Sequence, residues 1–153
     1  MAARDLVHDR EGTRLIIPAL GRLYDSLGDF AFALLRALSG IGLVTHGLGK
    51  IVHPFGSVGM VEELGFFPGV LWSPLLAATE FFGGLFLALG FLTRPAALAA
   101  TISLLVTVWF HWVVQAEGYP GAEKSILWSA ICFLFAILGG GRFSVDRAIG
   151  REF

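Results

Sequence analysis

Read for polarity alone, the chain is a series of long apolar runs separated by short joints rich in glycine, proline and charge. Four runs are long enough to cross a bilayer: residues 30–49, 70–92, 95–114 and 124–140. A spanning helix needs about 20 mostly apolar residues, each rising about 1.5 Å. The joints read "HPFGSVGMVEELGFFPG", "LTRP" and "QAEGYPGAE". Pro95 suits the first turn of the third helix, where a missing N–H has no intrahelical partner to lose. Within the 51–69 joint, "GSVGMVEELGFF" could form a short helix resting on the membrane interface. The expected fold is all-α: a polytopic membrane protein whose residues 30–140 form a four-transmembrane-helix bundle. Residues 1–29 then form an N-terminal segment and 141–153 a C-terminal tail. The stretch "RLIIPALGRLYDSLGDF" could lie along the membrane surface as an amphipathic segment, or lead as a mobile tail into an extended first helix.

Composition supports this class. Of 153 residues, 56% are hydrophobic and 15% charged, with 20 glycines, and the mean hydropathy is +0.75. A soluble domain of this size has too little interior to cover so much apolar surface. The charged N-terminus lacks the short apolar core and cleavage site of a secretory signal. A single cysteine, Cys132 in the fourth run, excludes a disulfide or a CxxC relay within the chain and reads as a buried structural residue.

Charge distribution adds an orientation. Arg4, Arg10, Arg14, Arg22, Arg94, Arg142, Arg147 and Arg151 fall on the side that holds both termini, and only Lys50 and Lys124 flank the other. By the positive-inside rule the chain is a multi-pass cell-membrane protein with both termini in the cytoplasm. The net charge of −1 gives no reason to expect a nucleic-acid partner.

Ionisable residues inside the runs carry the candidate chemistry. Glu80 is surrounded by Leu76, Phe81, Phe82 and Leu85, although a carboxylate in mid-membrane costs roughly 2.5–3.5 kcal/mol on insertion scales. At about 100° per residue, Lys50 is displaced roughly 40° from Arg36 and from His46 on the first helix, and Gly40 and Gly47 share that stripe. Such a small, cationic face suits a bundle interior. On the second helix Ala77, Glu80, Gly83 and Gly84 form a matching stripe, where "FFGG" allows a backbone to approach the carboxylate. Thr107 and His111 lie one turn apart on the third helix beside Trp109 and Trp112, and Glu123 and Lys124 open the fourth. These groups are expected to converge on one polar pocket in the outer half of the bundle, with Glu80 partnered by Arg36 or His46. Each also has a plainer reading. Lys50 and His46 could snorkel to water, His111 could belong to an aromatic belt, and Glu80 with Arg36 could be a structural ion pair.

The collected motifs resemble the DoxX family of small four-helix membrane proteins. "HGLGK" at 46–50 is similar to that family's His-Gly-x-x-Lys closing the first span, and "ATEFFGGLFLALGFLTRPAAL" at 78–98 to its second-span signature. His111, "GYPGAEKSILW" and "GGGRFSVDRAIG" match the later pattern, so the likeness runs from about residue 28 to the C-terminus. The stretch "AEGYPGAEK" departs from the family's usual glycine-rich approach to the fourth span, which leaves Glu123 without an assigned role. The resemblance implies a four-helix membrane fold. It also implies an association with thiosulfate:quinone oxidoreductase membrane subunits and oxidative-stress complexes.

Three functions are then open. The first is an integral membrane subunit of a redox system, linked to quinone. Glu80 would relay protons and His111 assist as a catalytic group, while Arg36, His46, Lys50, Phe81 and Trp109 bind the ring. No residue of the chain stores electrons, so a soluble or membrane redox partner would supply them. Lys50 and Lys124 would draw an anionic donor such as thiosulfate to the outer mouth. The second is a haem protein with His46 and His111 as axial ligands; no metal site is otherwise expected. The third is a non-enzymatic scaffold whose terminal side docks a soluble partner. Membrane lipid and a second copy of the chain are the remaining expected partners.

Overall fold

The computed structural model describes residues 15–152. A 3-10 turn at Pro18–Leu20 leads into α1 (Gly21–Val52). The short α2 (Val58–Glu63) lies in the following joint. Three further long helices follow, α3 (Gly69–Leu89), α4 (Thr93–Val114) and α5 (Gly118–Leu138). A short α6 (Val145–Ile149) closes the described chain. Among the described residues there is no strand, and four helices, counted from Ser26 in α1, are long and apolar enough to span a membrane. The fold is the expected all-α, four-span bundle. We call the end holding both ends of the described chain the terminal end and the other the distal end.

The helix limits differ from the apolar runs in informative ways. α1 starts at Gly21, not near residue 30, because "GRLYDSLGD" holds no proline and continues the same helix. Of the N-terminal segment, Arg4, Arg10 and Arg14 lie outside the described residues. α5 starts at Gly118, ahead of the expected 124, because Pro120 falls in its first turn, where no N–H is needed. Glu123 and Lys124 therefore sit exposed on a formed helix. α3 stops at Leu89 because Gly90 takes a left-handed conformation, φ 70°, that ends the helix. α2 confirms the short helix expected in the 51–69 joint, and Glu62 from it accepts the backbone N–H of Gly69 at 2.8 Å, capping α3.

Packing pairs α1 with α3 and α4 with α5; α3 also meets α4, whereas α1 and α5 touch sparsely. Glycines set the first contact. A Cβ on Gly40 would lie 2.4 Å from Ala88 N, and one on Gly84 would lie 2.8 Å from Gly40 O. A Cβ on Gly47 would fall 2.6 Å from the backbone nitrogen of Phe81. With no side chains between them the two backbones approach closely, the arrangement that small-residue stripes favour in membranes. The buried core is thin: Leu43, Leu87, Ala97, Ala100, Leu104, Cys132 and Phe135. Most larger apolar side chains, among them Leu38, Ile41, Leu98 and Ile102, point outward. This distribution suits a lipid surround, since water would penalise it.

Candidate functional site

Glu80 lies in a π-helical turn, Thr79–Gly83, inserted between two α-helical halves of α3. Such a turn adds a residue to the helical circuit and is frequent at functional sites. It turns Glu80 toward α1, where the residue is 9% exposed. The register is set by Gly47, whose backbone rests on the Glu80–Phe81 peptide. Lys50, three residues further along α1, then overhangs the carboxylate, and its ammonium meets Glu80 Oε2 at 2.5 Å. The side chains are 30% exposed for Lys50 and 12% for Glu80. The pair is therefore closed to the core side and open on the side of the ammonium.

The expected partner of Glu80 is corrected by this geometry. Arg36 lies 11 positions before Gly47 on α1, about 16 Å toward the terminal end. There its guanidinium donates to the carbonyls of Gly140 and, at 2.7 Å, of Phe143. His46 points away from the pair, is exposed, and packs edge-on against Trp128 with ring centroids 5.4 Å apart. Helical periodicity puts Lys50 near Gly40 and Gly47, but the inter-helix register that makes Lys50 the partner depends on where glycines let the backbones touch.

His111 also occupies a π-helical turn, Phe110–Val114. Its Nδ1 lies 2.7 Å from Glu117 Oε2, and its carbonyl accepts the Glu117 N–H at 3.0 Å. α3 and α4 run antiparallel and Gly83 lies near the carbonyl of Ala96, so His111 stands well beyond the level of Glu80, by roughly 18 Å along α4. The single convergent pocket expected from the sequence resolves into separate groups. Lys50, Glu80 and half-buried Phe81 lie together in mid-bundle, whereas His111 and Glu117 lie at the distal end. Trp109 is 42% exposed. His46 and His111 engage different neighbours, Trp128 and Glu117, so the structure gives no pair of facing imidazoles for a haem. Among the described residues no three metal-ligating side chains cluster.

A second polar centre, at the terminal end, went unread in the sequence. Asp146 is 2% exposed. Its carboxylate accepts the N–H groups of Leu92 at 2.8 Å and Thr93 at 2.9 Å, and the Thr93 hydroxyl at 2.6 Å. The first turn of α4 is thus capped by a residue 53 positions away in sequence. Asp146 N–H in turn donates to Gly90 O at 2.9 Å. Arg36 fixes the same segment through Gly140 and Phe143, and its buried Nε has no hydrogen-bond partner. Residues 141–152 therefore fold back onto the bundle, where the sequence suggested a tail. The legible signal was the bracket around "SVDRAIG": Ser144 accepts the Arg147 N–H as an N-cap, and Gly150, φ 69°, ends the turn.

Comparison with known proteins adds lineage to this geometry. The DoxX family model matches residues 31–112. The chain is 36% identical over 128 residues to a protein named inner membrane protein YqjF from Escherichia coli strain K12, covering 82% of this chain and 97% of that one. No solved structure matches. The matched region of the family model contains Arg36, His46, Lys50, Glu80, Phe81, Trp109 and His111, and leaves out Asp146.

Proposed function

The chain belongs to the DoxX family of membrane proteins, and from that membership and its buried Glu80 we propose that it is the integral membrane subunit of a quinone-linked redox system. The observation that carries the reading is the Lys50–Glu80 pair in the π-turn of α3. A carboxylate held in mid-bundle, with its ammonium partner still part-exposed, supplies what quinone reduction requires of a protein. The ammonium donates to a carbonyl oxygen, and the carboxylate takes up and delivers protons as two electrons and two protons convert quinone to quinol. The electrons come from a redox partner protein, with thiosulfate as the donor that the family likeness favours. Phe81, half-buried beside Glu80 and edge-on to Phe82 at 5.1 Å, supplies an aromatic wall. His111 and Glu117, partly exposed at the distal end, form a separate pair and have no direct contact with Lys50 or Glu80. Arg36, His46 and Trp109, also expected to bind the ring, lie apart from the pair and have no role in this reading. The terminal end faces the cytoplasm, in keeping with its arginines.

The test is binding of a short-chain ubiquinone analogue to the purified protein. Lys50→Gln, which removes the donating ammonium, is expected to weaken binding about tenfold or more, the cost of a charge-assisted hydrogen bond. Unchanged affinity in a folded Lys50→Gln protein would remove the pair from the ligand site.

A scaffold role is the second reading, favoured by the exposed Arg147 and Arg151 on the folded-back terminal segment. Arg147→Glu with Arg151→Glu would abolish recovery of a soluble partner while leaving quinone-analogue binding intact. Undiminished recovery of the partner by that double variant would exclude docking at this face.

A further inference from the structure

We propose that the groove between α1 and α5 is a binding site for an anionic phospholipid of the distal leaflet. Because α1 packs on α3 and α5 on α4, the α1–α5 seam stays open to the bilayer. The opening is a groove of about 330 Å³ lined by Leu35, Leu38, Ser39, Leu127, Trp128 and Ile131, with Lys124 as its one charged lining residue. Gly42 makes room for its Trp128 wall: a Cβ there would sit 2.6 Å from the indole ring. A groove of this kind inside the apolar spans takes up a bilayer component, and its walls match an acyl chain.

The charge selects the headgroup. Lys124 lies six positions after Gly118, the start of α5, about 9 Å below the distal end. From that depth a lysine stem runs along the apolar surface and delivers its ammonium to the headgroup level. Among the described residues no carboxylate pairs with Lys124. The other groove, of about 400 Å³ beside Arg94, differs here: Arg94 donates to Ile137 O at 2.5 Å and pairs with Glu152. Of these two grooves, the α1–α5 one combines an apolar channel with an unengaged cation, the complement of a phosphodiester on an acyl chain. A quinone fits this groove less well. It is uncharged and needs donors at its carbonyls, while the Ser39 hydroxyl is committed to Leu35 O at 2.8 Å. The proposal stands apart from the redox reading, which rests on the other face of α1.

Tryptophan fluorescence tests it directly. Replacing Trp72, Trp109 and Trp112 by Phe leaves Trp128, on the groove wall, as the single reporter. The full chain is reconstituted in zwitterionic bilayers doped with brominated phosphatidylglycerol or brominated phosphatidylcholine. Trp128 is expected to be quenched by both, with an apparent preference of about fivefold for the anionic lipid at low ionic strength. Lys124→Gln should abolish the preference and keep the quenching, and Lys124→Arg should retain both. Equal quenching by the two lipids in the parent, or a preference that survives Lys124→Gln, overturns the proposal. Quenching by neither lipid overturns it as well, and gives the groove to another occupant such as a quinone tail or a second copy of the chain.

Discussion

Glu80 and Lys50 form a buried pair whose members are unequal. The carboxylate is almost closed off, while a third of the ammonium side chain is accessible. Removing one partner of a buried pair leaves the other charge uncompensated, at a cost of about 3–5 kcal/mol. Lys50→Met should therefore lower the unfolding temperature in detergent more than Glu80→Gln does, because it strands the more deeply buried charge. The double variant Lys50→Met with Glu80→Leu should recover most of that loss, as apolar replacement of a whole pair usually does. Thermal unfolding of the four proteins checks the order. Ligand binding separates structure from function: a double variant that regains both stability and quinone-analogue affinity would make the pair structural only. Glu80 was legible in the sequence because a carboxylate inside an apolar run needs a reason. Its partner was not, because helical periodicity fixes which face a residue occupies and says nothing of how far one helix slides along another.

That sliding is decided by elements, through glycine. α1 and α3 meet where Gly47 rests on the Glu80–Phe81 peptide and Gly40 on Gly84 and Ala88. Gly47→Leu should push the helices apart, separate Lys50 from Glu80 and destabilise the fold by about 1–3 kcal/mol, the usual cost of overpacking. Gly49, with open space around its Cβ position, is the matched control and should accept Leu with little change in unfolding temperature. The α4 N-terminus gives a second prediction. Asp146→Asn keeps the shape but loses the charge that accepts two N–H groups and the Thr93 hydroxyl. A loss of about 1–2 kcal/mol is expected, as for removal of a helix cap, read as earlier thermal unfolding. The spans themselves were readable to within a few residues, since length and apolarity dictate them. The capping carboxylates Glu62 and Asp146 were not, because each serves a helix other than its own and no local pattern announces such a contact.

At the scale of the whole molecule, four spans place both described ends on one side, and the positive-inside rule predicts that side to be cytoplasmic. Single cysteines at Gly56 and Gly121 should react with an impermeant thiol reagent from outside the cell, and one at exposed Arg151 should react only after permeabilisation. Cys132 is fully buried and should remain silent. Reversed accessibility would place the Lys124 end of the groove in the opposite leaflet. The four-helix architecture was recoverable from the runs alone. The open α1–α5 seam was not, because it depends on which helices pair and not on what each contains. The cap on α4 has a consequence for how the chain is made. Translation delivers the α3–α4 hairpin first, with the N–H groups of Leu92 and Thr93 still awaiting Asp146, which follows 53 residues later. Until Asp146 leaves the ribosome, the hairpin is inserted but unlocked, a form that quality-control proteases are expected to recognise. A chain stopped at residue 141 should be degraded in pulse-chase experiments although every span is present.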